Sequence, residues 1–282
     1  MRNLKRRMEK NFNTIRLAGV PEHFNFPWLC WLQAHQYRAF GKEWKWQDFP
    51  GGSGAMLAAL LEDQTDLALV LTESAANAMI QGIDIQPLAV YVASPLVWGI
   101  FSGAGNPLRQ VSPVRGKKYA ISRFGSGSHL VARLDAGLRG ESLEENQFLP
   151  VQNLEGARLA LEKQEADLFF WEKWMTKPLC DQGILKMVDE RPAPWAAFVL
   201  ICKPAFWKNE NNRESVTKAF GEVLEIAGNL KVDSQAPGKI AKAYHLNESD
   251  AATWLSGTRW PDKWENPEID IKIAAEALQA LR

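Results

Sequence analysis

Two glycine-rich segments contain the residues best suited to bind a small molecule. Gly52-Ser53-Gly54 precedes a predicted helix in the first half of the chain, and Ser126-Gly127-Ser128 does so in the second half, close to Arg123. Glycine lets the backbone approach a ligand closely, and the first turn of a helix presents free N–H groups with a partial positive charge. We therefore predict two helix N-termini facing one cleft, which suits an anion or a polar heterocycle.

Three further segments follow predicted strands and add polar and aromatic groups. His23-Phe24-Asn25 offers an imidazole and an amide that can orient a ring. Thr72-Glu73 offers a carboxylate that accepts from an amino group or pairs with Arg123 across a closed cleft. Trp171-Glu172 offers an indole as a stacking wall. In open α/β sheets such loops meet at the carboxyl ends of the strands, so we expect all of them to border the ligand.

Signatures of catalysis and of bound cofactors are missing from the sequence. The four histidines fall at no metal-ligand spacing, and neither glycine-rich loop has the Lys-Ser/Thr ending of a nucleotide-binding P-loop. A Gly-x-Ser-x-Gly nucleophile elbow is absent as well. The sequence thus predicts no catalytic residue, no metal and no cofactor. The alternative is an enzyme that uses His23 or His129 as a proton carrier.

The elements that position these loops alternate between short β-rich runs and helical patterns. This alternation is typical of βαβ units and predicts an α/β protein with mostly parallel sheets flanked by helices. A weak internal repeat supports two related lobes, since Leu61–Leu67 resembles Leu161–Leu168. Each run ends a predicted helix and enters a strand that finishes at a glutamate. After Lys203 the pattern is almost entirely helical.

Charge and hydropathy exclude two classes of partner. Lys+Arg and Asp+Glu both number 33, so the chain lacks the overall positive field of a nucleic-acid binder. A basic run at Arg2–Lys10 reads as a solvated tail, and no apolar run reaches the length of about 18 residues that a membrane span requires. We also find no secretory signal in the sequence as it stands. The expectation is a cytoplasmic protein, or a periplasmic one from which a signal was removed.

Several segments resemble one known family. Gly19–Pro27, Pro50–Met56, Asp66–Glu73 and Ser122–His129 are similar to segments of the nitrate/sulfonate/taurine and thiamine-pyrimidine group of ABC-type solute-binding proteins, which have the type 2 periplasmic-binding-protein fold. The similarity is greatest to a bacterial and fungal branch without export signals. The resemblance implies two lobes, 14–95 plus 204–282 and 96–203, joined by crossovers near 93–96 and 203–204.

The resemblance also implies a function. We expect a non-catalytic binder that closes over its ligand like a Venus flytrap, the ligand being a pyrimidine or thiamine-precursor-like heterocycle or a small organic anion. An ABC permease is the implied partner if the protein is exported. Two alternatives stay open. One is the enzyme of thiamine or pyrimidine metabolism, and the other is a ligand-gated regulatory protein that uses an apolar face of the C-terminal helix Ile269–Leu281.

Overall fold

The computed structural model describes residues 14–280, which form two α/β lobes, each built on one β-sheet. The basic run at Arg2–Lys10 and the last two residues lie outside the described residues. No helix within 14–280 is long and apolar enough to cross a membrane.

The first sheet has six strands in the order β2-β3-β1-β4-β11-β5. These strands are β1 Thr14–Gly19, β2 Arg38–Ala39, β3 Lys42–Asp48, β4 Leu67–Leu71, β5 Gln86–Val92 and β11 Phe198–Cys202. The central strands β4 and β11 consist of apolar residues throughout, because helices cover both faces of the sheet.

The second sheet has five strands in the order β10-β6-β9-β7-β8. They are β6 Val97–Gly103, β7 Tyr119–Ile121, β8 Phe148–Pro150, β9 Leu168–Glu172 and β10 Leu185–Pro192. Phe101 and Phe169 are fully buried and pack with the helix residues Ala157 and Leu161 on one face of this sheet.

Helices follow most strands in the chain and occur in both lobes. The helices are α1 Phe26–Ala34, α2 Ser53–Leu61, α3 Thr72–Ile80, α4 Gly127–Leu138, α5 Leu154–Glu162, α6 Lys173–Asp181, α7 Pro204–Trp207, α8 Glu210–Val232, α9 Ala236–Tyr244, α10 Glu248–Gly257 and α11 Glu268–Gln279. The predicted helical stretch after Lys203 is therefore confirmed, and its helices α7–α11 follow the last strand of the first sheet.

Both sheets are mixed, whereas the sequence analysis expected mostly parallel ones. β1 is parallel to β3 and β4, and β7 is parallel to β8 and β9, as βαβ units require. Strand β11 returns from the second lobe and pairs antiparallel with both β4 and β5, and β6 pairs antiparallel with β9 and β10. Strands β6 and β11 enter their sheets from the other lobe and not through a βαβ unit, which allows these antiparallel pairs. The antiparallel pair of β2 and β3 is formed by consecutive short strands within the first lobe.

The chain passes between the sheets twice. The first passage, at 93–96, joins β5 of the first sheet to β6 of the second. The second passage lies at 193–197, earlier than the expected 203–204, because β11 belongs to the first sheet. On this sheet membership we propose that the lobes comprise 14–92 plus 198–280 and 97–192.

The internal repeat corresponds to equivalent structures in the two lobes. Helices α2 and α5 end at the repeat, and strands β4 and β9 leave it. Asp66 and Asp167 each accept a hydrogen bond from the backbone N–H at the start of the neighbouring strand, Arg16 N at 2.9 Å and Lys118 N at 2.8 Å. Each aspartate therefore fixes the register between its own strand and the strand beside it.

The C-terminal helix α11 packs against helix α3 of the first lobe and touches α4 of the second. Its apolar residues Ile271, Ala274 and Leu278 are buried, and the Asp270 carboxylate accepts from Ala196 N at 2.7 Å. The protein itself therefore covers the face that contains these three residues, whereas Ile269 and Ile273 of the same helix stay exposed and Leu281 lies outside the described residues.

Candidate functional site

A cavity lies between the two lobes, beside the ends of β1, β4 and β9 and the starts of helices α2 and α4. Eight of the predicted site residues line it, and they are Gly52, Ser53, Arg123, Ser126, Gly127, Ser128, Trp171 and Glu172. Lining residues that the sequence analysis did not assign to the site are Val20, Glu22, Gly51, Leu71, Leu96, Trp98, Ser122 and Phe198. Residues from both glycine-rich segments therefore meet at one cavity.

Arg123 supplies the positive charge of the cavity. Its guanidinium Nη1 donates to the carbonyl oxygen of Gly51 at 2.5 Å, which connects the second lobe to the first. No acidic side chain within residues 14–280 forms an ion pair with Arg123, and burial lowers the pKa of its guanidinium. Because a cation removed from water without a counter-charge is costly, the position favours an anionic ligand.

The start of helix α2 is shaped to accept this guanidinium. Gly52 precedes the helix with φ of 71°, a conformation that favours glycine. A Cβ atom added at Gly54 would lie 2.3 Å from Arg123 Nη2. The guanidinium therefore occupies the space that the side chain of any larger residue would fill. Ser53 Oγ accepts from Leu71 N at 2.9 Å and holds the helix start against the end of β4.

Three serines fix the start of helix α4. Ser128 Oγ accepts from Ser122 N at 3.0 Å, and Ser126 Oγ donates to the carbonyl oxygen of Arg123 at 2.6 Å. The two hydroxyls of Ser126 and Ser128 are also 3.0 Å apart. The serines thus stabilise the loop, while the first-turn N–H groups of α4 have no acceptor inside the helix.

Trp98 is a second donor that the sequence analysis missed. Only 3% of its surface is exposed, and its indole Nε1 has no hydrogen-bond partner within the described part of the chain. Gly127 makes room for the indole, since a Cβ there would lie 2.8 Å from Trp98 Cη2 and 2.7 Å from Leu71 Cδ1. A buried donor without a partner at the edge of a cavity favours a ligand acceptor beside it.

Two glutamates line the cavity from opposite lobes. Glu22 follows β1, and burial raises its pKa to about 7. Glu172 ends β9, and its carboxylate accepts from Met175 N at 2.6 Å at the start of helix α6. Burial, and then the nearby Glu22, raise the pKa of Glu172 well above its usual range. Both carboxyl groups therefore retain protons at a higher pH than solvated glutamates do.

The predicted residues His23, Phe24 and Asn25 do not line the cavity. His23 is fully buried with its ring centroid 4.2 Å from that of Trp254, and burial lowers its pKa to about 3. Asn25 Nδ2 donates to the carbonyl oxygen of Val20 at 2.7 Å. These side chains support the loop after β1, which places Glu22 rather than His23, Phe24 or Asn25 at the cavity.

Thr72, Glu73 and Gly54 also lie outside the cavity lining. Thr72 Oγ1 donates to the carbonyl oxygen of Ala196 at 2.5 Å, and Glu73 accepts from Trp195 Nε1 at 2.8 Å. The expected pairing of Glu73 with Arg123 is wrong, because Glu73 turns into the core towards Trp195 while Arg123 donates to the Gly51 carbonyl. Sequence spacing gave no indication that Trp195 lies beside the start of α3.

His129 faces a different cavity, formed with Asn77, Gln81 and Arg133. Its Nδ1 accepts from Gly125 N at 3.0 Å, and burial and Arg133 lower its pKa to about 4. Neither His129 nor His23 therefore borders the cavity beside Arg123.

Comparison with known proteins identifies relatives of this architecture. Residues 98–191, which coincide with most of the second lobe, match a family described as Ca3427-like PBP. The CA3427 gene product of Candida albicans, described as exhibiting the generic periplasmic binding protein structural fold, superposes with a TM-score of 0.87 at 22% identity over 95% of this chain and 90% of that one. At such identity the structural similarity establishes the fold.

Two relatives have names that state a ligand. The alkanesulfonate-binding protein SsuA from Xanthomonas axonopodis pv. citri, solved bound to MOPS, gives a TM-score of 0.77 at 16% identity over 96% of this chain and 93% of that one. A putative aliphatic sulfonates-binding protein of Escherichia coli K12 is 26% identical over 214 residues. That match covers 74% of this chain and only 65% of the relative's length.

Proposed function

We propose that this chain, which has the two-lobed fold of periplasmic binding proteins, binds a small organic anion of the sulfonate type between its lobes. The observation that carries the proposal is Arg123, which lines the inter-lobe cavity without an acidic partner inside residues 14–280. Its charge lies beside the starts of α2 and α4, whose first-turn N–H groups favour an anion by hydrogen bonding and by the helix dipole.

The donors around the cavity suit an anionic head with several oxygen atoms. A sulfonate presents three acceptor oxygens, and the residues that line the cavity supply three kinds of donor: the guanidinium of Arg123, the indole N–H of Trp98 and the first-turn amides. The named ligands of the relatives support the same chemistry, since two of them are described as binding alkanesulfonates or aliphatic sulfonates.

A pyrimidine-like heterocycle is the second candidate. Two indoles, those of Trp98 and Trp171, line the cavity, and the Trp171 ring stacks on Phe169 with centroids 5.1 Å apart. Flat apolar walls of this kind suit a ring, and the carboxyl groups of Glu22 and Glu172 accept from exocyclic amino groups. The uncompensated charge of Arg123 makes the anion the leading candidate.

The partner that we propose with this function is an ABC permease. One structural neighbour is described as the ligand-binding component of an ABC-type import system from Staphylococcus aureus, with a TM-score of 0.64 at 13% identity over 95% of this chain and 90% of that one. The enzyme alternative has less support, because the two histidines it requires do not line the inter-lobe cavity.

The test is a ligand panel measured by isothermal titration calorimetry and intrinsic tryptophan fluorescence. Propane-1-sulfonate, ethanesulfonate, nitrate and 4-amino-5-hydroxymethyl-2-methylpyrimidine are each titrated into the full chain. We expect the sulfonates to bind and to raise the melting temperature, by an amount that corresponds to about 2.7 kcal/mol at a 100-fold excess over Kd. Binding of the pyrimidine alone would replace the sulfonate proposal by the second candidate, and silence across the panel would refute both.

A further inference from the structure

Two acidic side chains and one cationic side chain line the same cavity, which poses a problem for an anion-binding site. Glu22 comes from the first lobe, and Glu172 and Arg123 come from the second. As carboxylates, both glutamates would repel the sulfonate that the proposed function places beside Arg123. An anion site of this composition requires that the glutamates be neutral when the ligand is bound.

We infer that Glu22 and Glu172 bind the anion as protonated carboxylic acids, so that the protein captures its ligand together with protons. A protonated carboxyl donates one O–H, so each glutamate changes from a repelling group to a hydrogen-bond donor. This inference rests on the proposed function and adds two specificity-determining residues to it. With these residues protonated, the protein would bind its ligand more tightly at acidic pH and would select ligands with several acceptor oxygens.

The surroundings of Glu172 hold its carboxyl group in place and withdraw it from water. Glu172 is 4% exposed, and its Oε2 accepts from Met175 N, so the side chain is fixed at the cavity wall. The positive charge on the same helix start, Lys173, is engaged by Glu190 at 2.7 Å. His23 Nε2 lies 3.9 Å from Glu172 Oε2, but a fully buried imidazole with a pKa of about 3 carries no compensating charge.

No cationic side chain within residues 14–280 forms an ion pair with Glu22. The side chain does not cap the 3-10 turn His23–Asn25 that follows it. Tyr244, a titratable group near Glu22, has a pKa raised by burial and stays neutral. Burial likewise raises the pKa of Glu22 to about 7, and the proximity of the two glutamates raises that of Glu172 further. The two carboxyls titrate as a coupled pair, and closure of the lobes around an anion drives their protonation.

Trp98 gives independent support for a ligand at this position. Trp98 lines the cavity, and its buried Nε1 has no acceptor among residues 14–280. A bound sulfonate oxygen would satisfy this donor, together with the Arg123 guanidinium and the two carboxylic O–H groups.

The experiment measures propane-1-sulfonate binding to the full chain at pH 5.5 and pH 7.5. We expect the affinity to fall by at least about tenfold over this range, because solvated glutamates ionise near pH 4.3 and must regain protons on binding. Calorimetry in buffers of different ionisation enthalpy should show net proton uptake near pH 6.5. A pH-independent affinity without proton uptake would overturn the inference while leaving the proposed function intact. Failure of every sulfonate to bind at either pH would instead refute the proposed function.

Glu22→Gln is the decisive variant, because glutamine imitates a protonated glutamate and donates at every pH. We expect it to retain at pH 7.5 most of the affinity that the parent chain shows at pH 5.5, and to take up fewer protons. Glu225→Gln, on the exposed face of α8, is the matched control and should keep the parent's pH dependence.

The opposite result has a defined meaning. If the carboxylates bind an ammonium group instead, 2-aminoethanesulfonate will bind more tightly than propane-1-sulfonate at pH 7.5, and Glu22→Gln will abolish this preference. That outcome overturns the inference. The proton-uptake measurement on the unaltered chain decides between the two even if the variant does not fold.

Discussion

Arg123 Nη1 donates a hydrogen bond to the carbonyl oxygen of Gly51, so a side chain of the second lobe is attached to a loop of the first. The lobes also meet at helices α6 and α10, where Lys177 pairs with Asp250 at 3.0 Å. Both contacts join the first lobe to the second. Arg123 therefore links the two lobes, and under the proposed function it also presents its charge to the ligand.

Replacement of Arg123 by glutamine should abolish most ligand binding without loss of the fold. Truncating one partner of a desolvated charge pair costs about 2 to 5 kcal/mol, which corresponds to at least about a 30-fold rise in the Kd for propane-1-sulfonate. Arg109→Gln, at an exposed arginine of the same lobe, serves as the control. Calorimetry on both variants checks the prediction, and equal affinities would show that Arg123 is only a lobe contact.

Gly54→Ala should weaken binding although it improves the helix. Alanine has a higher helix propensity than glycine, but the added Cβ would lie 2.3 Å from Arg123 Nη2 and displace the guanidinium. We expect at least about a tenfold loss of affinity, equivalent to one charge-assisted hydrogen bond.

The matched control is Gly228→Ala in helix α8, where nothing lies within 4 Å of the new Cβ. It should raise the free energy of unfolding by up to about 1 kcal/mol and leave the affinity unchanged. Thermal denaturation and calorimetry separate the two variants. Unimpaired ligand binding by Gly54→Ala would show that the arginine does not need its observed position.

The first glycine-rich loop was predictable from sequence because Gly52 precedes a helix with a positive φ, which is a local requirement. Gly127 also lies at a helix start, but its close approach to Trp98 and Leu71 depends on the tertiary fold. The repeat that contains Asp66 and Asp167 was visible in the sequence because both lobes use the same interaction, in which the aspartate accepts from a backbone N–H of the neighbouring strand.

What the sequence did not reveal depends on contacts between distant segments. Trp98 reaches the cavity only because β6 begins the second sheet directly after the first passage between lobes. Glu73 was predicted to border the cleft, but its carboxylate accepts a hydrogen bond from Trp195, which lies 122 positions away in the sequence. The sequence pattern did not assign β11 to either sheet, because the strand is apolar throughout and a fully buried strand fits both sheets equally well.

Trp98→Phe should weaken sulfonate binding while preserving the apolar wall. The change removes the Nε1 donor that lacks a partner within residues 14–280, so a ligand hydrogen bond is lost and the fold loses none. A hydrogen bond to a charged group contributes about 1.5 to 3 kcal/mol, so we expect calorimetry to show at least about a tenfold rise in Kd. Trp207→Phe, in a half-buried position away from the cavity, controls for indole loss. An unchanged Kd for Trp98→Phe would mean that the ligand does not contact this donor.

Glu73 should make stability depend on pH, independently of the ligand. The side chain is 1% exposed, and burial raises its pKa from 4.5 to about 7, partly opposed by hydrogen bonds that include the one from Trp195. Between these two values the folded state binds more protons than the unfolded state, so stability falls as the pH rises through this window and is constant above it.

Glu73→Gln removes this titration. Relative to the parent chain, the variant should gain roughly 3 kcal/mol of unfolding free energy between pH 4.5 and pH 7.5, because each pKa unit corresponds to about 1.36 kcal/mol. Urea denaturation at several pH values measures the difference, and contributions from Glu22 and Glu172 cancel because both proteins contain them. A parallel pH profile for the two proteins would show that Glu73 is ionised in the fold and that its contact with Trp195 outweighs the cost of burial.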